Sequence, residues 1–269
     1  MNPPLTVDRS DGVVTVTIDR PAVRNALDTT AFRELRALIT EVAERAEDRV
    51  LVVTGAGGTF CSGGDLSPAR RPAGETPPPA PGTDASLTMM RQVIGETALA
   101  LHRCPKPVIA AVDGTAAGAG AALAFGCDLV FASTAARFGL VFVRRGLSLD
   151  LGASWLLPRL VGPAKAKELA FYGDWIDAAE AHRLGLVNDV VEPDALASTV
   201  RERAVTLARR PTLAVQLIKQ SLNRSWQLSL ADAVEEEAMA QVLCSSSPEF
   251  AEAMAAFRAA RGTGTEAGR

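Results

Sequence analysis

Two short apolar segments, each followed directly by a glycine-rich turn, constrain the fold of this 269-residue chain more than any other feature. They are VLVVTG at residues 50–55, which leads into AGGTFCSGGD, and PVIAAV at residues 107–112, which leads into DGTAAGAG. A short run of consecutive apolar residues is typical of a strand that is covered on both faces. The run DLVFAS at residues 128–133 has the same character. We therefore predict a parallel sheet with helices packed against it.

Helical periodicity fills the spaces between these strands and most of the chain after residue 177. A strand is predicted at residues 13–19, and a short buried helix is predicted within TAAGAGAALAFG. The longer predicted helices are residues 29–46, 86–103, 163–171, 194–209, 211–224 and 230–260, the last broken near SSSP at 245–248. A proline-rich stretch at residues 68–82 is expected to be an exposed loop. We predict an α/β fold with a core in residues 1–200 and a C-terminal helical region in residues 201–269.

Composition excludes several classes of function. The chain has 28 Lys and Arg against 31 Asp and Glu, a net charge of −3, so it has no overall basic field for a nucleic acid. Its 4 cysteines and 2 histidines have no metal-finger spacing, which excludes a structural zinc site. The most apolar stretch is interrupted by Asp113 and Asp128, so no membrane span is expected. The first residues do not resemble a signal peptide, and a cytoplasmic location is expected.

The glycine-rich turns do not fit a dinucleotide site. That site needs the pattern G-x-G-x-x-G after a strand. The turn that begins at Gly55 has Phe60 at the third glycine position, and the turn at Gly118 has Leu123 there. No nicotinamide or flavin cofactor is therefore expected.

The same turns can instead bind a developing negative charge. The turns CSGG at 61–64 and GTAAGAG at 114–120 leave backbone N–H groups without side-chain cover. If both lie at the ends of neighbouring strands, two amides can converge on one oxygen, and the following helix adds the positive end of its dipole. The pair would then form an oxyanion hole. The alternative is that the glycines only permit tight turns and close packing.

Four segments resemble the enoyl-CoA hydratase/isomerase family, also called the crotonase superfamily. They are VRNALD at 23–28, TGAGGTFCSGGDL at 54–66, KPVIAAVDGTAAGAG at 106–120 and ARFG at 136–139. They occur in the family's order, and the similarity covers roughly residues 10–260. The run GLSLDLGASWLLPRLVG at 146–162 resembles in particular the isomerases and ring isomerases of aromatic-acid degradation.

The resemblance implies a spiral of ββα units, followed by a C-terminal helical region that forms trimers or dimers of trimers. It also implies an acyl-CoA thioester as the substrate, with no metal or redox cofactor. The family's oxyanion amides correspond to Gly64 and to Ala119, where the family usually has glycine. Because the donor is a backbone N–H, alanine supplies it equally well wherever the local dihedral angles suit a Cβ.

Further residues match the family's coenzyme A contacts. Arg24 corresponds to the basic residue near the phosphates, and Phe257 and Arg261 match a terminal helix that reaches a neighbour's coenzyme site. The segment beside the adenine and pantetheine corresponds to Asp65, Leu66 and Ser67. For Phe257 and Arg261, ordinary helix packing and a solvated charge remain the alternatives.

The chain departs from the family at the two glutamates that its hydratases use. Hydration needs one carboxylate to activate water and a second acid to supply the α-proton. The corresponding residues here are Ala122 and Phe142. Orthodox hydratase activity is therefore not expected.

One carboxylate remains at a position that is catalytic in other members of the family. Asp150 corresponds to a catalytic aspartate of family members that shift double bonds or attack aromatic thioesters. A double-bond shift needs only one base to remove a proton and return it at another carbon while the oxyanion hole holds the dienolate. Apolar neighbours such as Leu149 and Leu151 are expected to raise the pKa of Asp150. The alternative is that Asp150 is only a loop residue or the N-cap of the following helix.

These residues predict an acyl-CoA isomerase with Asp150 as the base. Dehalogenases of the family use a histidine at a position that is Gly95 here, and His102 is expected to be structural. A non-catalytic acyl-CoA binder and an atypical hydratase that uses Glu96 remain alternatives.

Overall fold

A computed structural model of the chain describes residues 3–65 and 82–262. The proline-rich stretch, apart from Gly82, lies outside the described residues, as do Leu66 and Ser67. The strands are β1 (Leu5–Ser10), β2 (Val13–Ile18), β3 (Val50–Gly55), β4 (Val108–Val112), β5 (Thr115–Ala117), β6 (Leu129–Ser133), β7 (Arg137–Gly139), β8 (Trp175–Asp177) and β9 (Asp189–Val191).

The α-helices are α1 (Thr29–Glu44), α2 (Thr83–Met89), α3 (Glu96–Arg103), α4 (Ala119–Phe125), α5 (Ala153–Tyr172), α6 (Ala178–Arg183), α7 (Pro193–Ala208), α8 (Thr212–Arg224), α9 (Leu230–Ser245) and α10 (Pro248–Gly262). A π-helical segment, Met90–Gly95, joins α2 to α3. Short 3₁₀ helices cover Pro21–Val23, Val143–Arg145 and Ser225–Gln227.

The strands form two sheets. The larger has the order β1-β2-β3-β4-β6-β9, and its strands are parallel except for the antiparallel β1–β2 hairpin. The smaller has the order β5-β7-β8, with β5 parallel and β8 antiparallel to β7. In the larger sheet β3 and β4 are neighbours, so the turns that follow them leave from the same edge.

The larger sheet is covered on both faces, as the apolar runs predict. All five residues of β4 are buried. Val108, Ala110 and Val112 belong to the main core, which also contains the buried faces of α1 and α4. Ile109 and Ala111 face the other way and pack in a second core with residues of α7. The predicted parallel sheet between helices is confirmed.

The boundaries differ from the prediction in several places. Strand β1 is not predicted, because only Leu5 and Val7 of its six residues are apolar; in the structure only Leu5 is buried. Helix α5 begins at Ala153, whereas the sequence predicts a helix only at residues 163–171. Gly162 breaks the helical geometry at φ 77°, and Pro163 starts the second part, which corresponds to the predicted helix.

Helix α7 spans residue 200, the expected end of the core, and its residues Leu196, Val200 and Ala204 pack on the sheet. Beyond it, α8 and α9 bury no residue. Within residues 3–65 and 82–262, no helix is both long enough and apolar enough to cross a lipid bilayer.

Candidate active site

The first glycine-rich turn, residues 61–64, is held by the segment that precedes α1. The backbone N–H of Leu27 donates to the Gly63 carbonyl at 2.8 Å, and the Leu27 carbonyl accepts from the Asp65 N–H at 2.9 Å. These bonds flank Gly64, which pairs with Leu27 as in a parallel sheet. The N–H of Gly64 therefore points away from Leu27. It donates to no acceptor within the described part of the chain.

Within the second glycine-rich turn, residues 114–120, Thr115–Ala117 form β5, and Gly118 joins this strand to α4. Gly118 has φ 53° and ψ −122°, a conformation that only glycine adopts readily, and its N–H donates to the Gly139 carbonyl at 2.8 Å. Ala119 is the first residue of α4, so its N–H has no partner in the helix. None of the described residues accepts a hydrogen bond from this N–H. Ala119 is not among the residues with positive φ, so a side chain is compatible with this position.

The two turns pack against each other. The Cys61 N–H donates to the Thr115 carbonyl at 3.0 Å, and the Cys61 carbonyl accepts from the Ala117 N–H at 2.9 Å. A Cβ on Gly63 would lie 2.8 Å from the Ala117 oxygen and 3.5 Å from the Ala119 nitrogen. Glycine at this position therefore lets the backbone around Gly64 approach the start of α4. The expected neighbourhood of the two turns is confirmed.

Glycine is equally necessary on the opposite side of this contact. A Cβ on Gly120 would lie 2.2 Å from the Cys61 oxygen, closer than any real contact. The Cys61 side chain is buried, and burial raises the pKa of its thiol to about 12. Cys61 therefore stays protonated at neutral pH and packs within the turn.

Asp150 lies in the loop that directly precedes α5. Its carbonyl accepts from the Ala153 N–H at 3.0 Å across a turn in which Leu151 has φ 51° and Gly152 has φ 80°. A buried leucine in the left-handed region is uncommon and costs conformational energy, which is typical of functional sites. The N-cap of α5 is Gly152, and no side chain caps the helix. Asp150 is therefore not the N-cap of α5; it is a residue of the loop that precedes the helix.

The carboxylate of Asp150 is isolated. Its Oδ1 atom is buried and has no hydrogen-bond partner in the described ranges. Burial raises the pKa of Asp150 from 3.8 to about 6, and no neighbouring charge contributes. A carboxylate in this condition is mostly ionised at neutral pH, and it can also take up a proton.

Apolar groups occupy the positions of the two hydratase glutamates. Ala122 is fully buried in α4. Phe142 is 6% exposed, and its ring carbons lie 4.0 Å from the Cβ position of Gly118, beside the start of α4. The aromatic ring therefore lies near Gly118, the residue that precedes Ala119.

The other candidate acid–base groups, Glu96 and His102, lie on α3. Glu96 is exposed at the start of α3. The His102 ring packs edge-on against Trp155, with the ring centroids 5.1 Å apart, and burial lowers the pKa of His102. A cavity of about 640 Å³ lies between α3, α5 and α8 and is lined in part by His102, Leu151 and Gly152, but not by the two turns.

Two of the predicted coenzyme contacts, Arg24 and Asp65, lie at the first turn. Arg24 is exposed, and its carbonyl accepts from the Ser62 N–H at 3.1 Å, so it lies beside the first turn. Asp65 directly follows Gly64, and its carboxylate forms an ion pair with Arg20 at 3.2 Å. Among the described residues, no cluster of side chains could hold a metal ion.

The C-terminal candidates are not placed with the turns. Phe257 is half exposed on α10, and the side chain of Arg261 lies outside what the structure describes. At the start of α10, Glu249 lies 3.6 Å from Arg49, which precedes β3. Helix α10 therefore begins at the edge of the sheet opposite to the turns.

Comparison with known proteins identifies the class of this fold and site. Residues 8–263 match the family described as enoyl-CoA hydratase/isomerase. The chain belongs to the enoyl-CoA hydratase/isomerase family, and its crotonase-like α/β fold is as expected.

Similar proteins in this family have different activities. The 1,2-epoxyphenylacetyl-CoA isomerase of Escherichia coli (strain K12) is 37% identical over 250 residues, 93% of each chain. The short-chain-enoyl-CoA hydratase of Clostridium acetobutylicum is 35% identical over 255 residues, 93% of each chain. A crystal structure of enoyl-CoA hydratase from Bacillus anthracis matches with a TM-score of 0.87 and 30% identity, covering 95% of this chain and 96% of that one.

Proposed function

We propose that this protein is an acyl-CoA isomerase that shifts a double bond in an enoyl- or ring-acyl-CoA thioester. The observation that carries the proposal is the half-buried Asp150, whose carboxylate has one buried, unpartnered oxygen and a pKa raised to about 6. The similarity to an epoxyphenylacetyl-CoA isomerase favours the same class. The similar hydratases make hydration the reaction to be tested against it.

The Gly64 and Ala119 amides bind the thioester oxygen in this mechanism. Asp150 removes a proton from the acyl chain, and the electron pair of that C–H bond moves into a dienolate whose negative charge rests on the thioester oxygen. Two preorganised N–H donors stabilise that charge more strongly than they stabilise the neutral carbonyl. Asp150 then returns the proton to another carbon, so that the double bond moves and the carboxylate is restored.

Apolar side chains at the positions of the two hydratase glutamates favour proton transfer over hydration. A hydratase needs a second carboxylate beside the oxyanion hole to hold the attacking water. Ala122 and Phe142 offer no group that binds water. The aromatic ring also suits an aromatic or branched acyl group.

Binding of the coenzyme is proposed to follow the family pattern. Arg24, exposed beside the first turn, approaches the phosphates. The segment beside the adenine and pantetheine comprises Asp65, Leu66 and Ser67. We propose a homotrimer or a dimer of trimers in which Phe257 and Arg261 reach a neighbouring subunit's coenzyme site.

Proton exchange tests the proposed reaction. The protein is incubated in deuterated water with a panel of 3-enoyl- and arylacetyl-CoA thioesters, and NMR follows deuterium uptake and double-bond position. We expect uptake and a double-bond shift with the wild type and loss of both in Asp150→Asn. Binding of the thioesters is expected to persist in both proteins.

Two results would contradict this proposal. Formation of 3-hydroxyacyl-CoA from crotonyl-CoA at ordinary enzyme rates would establish a hydratase. Binding without any exchange across the panel would establish a non-catalytic acyl-CoA binder.

A stability measurement distinguishes a catalytic Asp150 from a structural one. Because folding raises the pKa of Asp150, its carboxylate destabilises the native state increasingly as the pH rises from about 4 through 6. The amide that replaces the carboxylate carries no charge, so Asp150→Asn is expected to raise the free energy of unfolding by about 2–3 kcal/mol at pH 8. The gain should disappear below pH ~4. Urea unfolding at both pH values measures it, and a loss of stability at pH 8 would indicate a structural role.

A further inference from the structure

The side chain of Arg20, at the end of β2, connects three segments around the first turn. One guanidinium nitrogen, Nη2, lies 2.7 Å from Asp28 Oδ2 and 3.2 Å from Asp65 Oδ2. The other, Nη1, donates to the Ala26 carbonyl. The Arg20 and Asp65 side chains are only 19% and 12% exposed, so solvent screens this contact less than that of a surface ion pair, whereas the Asp28 side chain is 42% exposed.

Each partner of Arg20 is linked directly to the position of Gly64. Asp65 follows Gly64 in the chain. Ala26 precedes Leu27, whose backbone bonds flank Gly64. Asp28 is the N-cap of α1, where its Oδ1 accepts from the Ala31 N–H at 2.8 Å. The guanidinium therefore joins the turn to the rigid start of a helix.

A buried asparagine strengthens this connection. Asn25 is fully buried with φ 58°, and its Nδ2 donates to the Ala56 carbonyl at 2.8 Å and the Thr59 carbonyl at 2.6 Å. Its Oδ1 accepts from the Arg20 N–H at 2.9 Å. Arg20 thus reaches the loop between β3 and the turn through its backbone as well as through its side chain.

We propose that Arg20 is a positioning residue that holds the Gly64 amide in register with the Ala119 amide. The proposal rests on the proposed function, in which these two amides bind the thioester oxygen. Gly64 has no side chain to hold its peptide group, and hydrogen bonds weaken steeply when the donor is displaced or misaligned. The planar fork of arginine binds a carbonyl and two carboxylates at once, which a lysine ammonium cannot do with the same geometry.

The test compares Arg20→Lys with a matched control. Arg9 also bridges two carboxylates, Glu41 at 2.7 Å and Asp48 at 3.3 Å, but it lies on β1 away from the turns. Both variants and the wild type are saturated with phenylacetyl-CoA labelled with ¹³C at the carbonyl carbon. The ¹³C shift of the bound carbonyl reports hydrogen bonding to its oxygen, and deuterium uptake at the adjacent CH₂ reports turnover.

In Arg20→Lys we expect a smaller carbonyl shift and an exchange rate about 10–100-fold below wild type, somewhat less than the loss of a whole oxyanion donor. The Kd for the thioester is expected to change little, because the lost interaction belongs mainly to the transition state. Arg9→Lys should match the wild type in all three measurements. An unchanged carbonyl shift and rate in a folded Arg20→Lys would overturn the proposal.

The readouts separate this proposal from the proposed function. If the wild type shows no carbonyl shift on binding, the oxyanion hole itself fails, whatever Arg20 does. If the wild type shows the shift and Arg20→Lys retains it, only the positioning role fails. Should Arg20→Lys not fold, Asp28→Asn keeps a helix cap while weakening the shortest ion pair. It is then expected to reduce the carbonyl shift in the same direction but less, and an unchanged shift would again overturn the role.

Discussion

Two helices of this protein, α4 and α9, differ in the exposure of their apolar residues. All seven residues of α4 are buried, and six of them are apolar. None of the sixteen residues of α9 is buried. Its large apolar side chains, Leu230, Val234, Met239, Val242 and Leu243, are all more than half exposed.

The difference shows which part of the molecule one chain completes by itself. Helix α4 is enclosed by the sheets and by α5, so its first amide is held firmly beside the turn at Gly64. Helix α9 packs against α8 and α10, yet its large apolar side chains remain more than half exposed, which fits the proposed assembly with further copies. Of the groups of the proposed chemistry, the Ala119 amide belongs to α4, and the Gly64 amide lies in the turn that packs against the start of this helix.

The largest effect is expected at the first residue of α4. Proline is well tolerated at the first position of a helix, and at residue 119 it removes the N–H while Gly118, which has no Cβ, precedes it. Ala119→Pro is expected to lower the deuterium exchange rate about 10²–10³-fold, the loss typical of one oxyanion donor. Exchange kinetics by NMR, with circular dichroism to verify folding, measures it.

Ala119→Gly is the matched control, because glycine keeps the N–H and is the residue usual in the family. It should retain the rate to within about threefold of wild type. A folded Ala119→Pro with wild-type exchange would remove this amide from the mechanism.

The next effect compares the same substitution in both helices. Leu123 in α4 is fully buried, and Leu123→Ala is expected to lower the free energy of unfolding by about 2–5 kcal/mol because it leaves a cavity. Leu243 in α9 is 56% exposed, and Leu243→Ala is expected to change the stability of a single chain by no more than about 0.5 kcal/mol.

Urea unfolding at several protein concentrations measures both variants. A concentration-dependent loss in Leu243→Ala alone would show that another copy covers α9. Equal losses at every concentration would contradict the contrast between the two helices.

The smallest effect is the pH dependence of exchange. Asp150 must be ionised to remove a proton, and its pKa is raised to about 6 by burial. The exchange rate is therefore expected to be constant above pH ~7 and to fall about tenfold by pH ~5. The pH profile of Leu243→Ala should have the same midpoint, because α9 does not contribute to the environment of Asp150. A midpoint near 4, the ordinary value for aspartate, would show that the base lies elsewhere or is solvated.

Local patterns predicted the strands and the turns of this fold. The runs at residues 50–55 and 107–112 correspond closely to β3 and β4, since a strand covered on both faces must be apolar throughout. The glycines were equally informative, because Gly63 and Gly120 lie where any Cβ would strike the facing backbone. Ala122, Phe142 and Asp150 could be singled out because the family resemblance supplied their positions.

Long-range contacts could not be predicted in this way. Arg20 directly follows the strand predicted at residues 13–19, and only the fold brings Asp28 and Asp65 to its guanidinium. The left-handed conformation of Leu151 had no signal either, since leucine rarely adopts it. The π-helical segment Met90–Gly95 likewise lies inside a stretch with ordinary helical periodicity.

The amino-acid sequence therefore established the parallel sheet, the two glycine-rich turns, the missing glutamates and the remaining aspartate, because each depends on residue type over a few neighbouring positions. The tertiary structure decided that the two turns touch, that one oxygen of the Asp150 carboxylate is buried without a partner in the described residues, and that Arg20 joins the turn to α1. These features depend on burial and on contacts between residues far apart in the chain, which local sequence patterns do not encode.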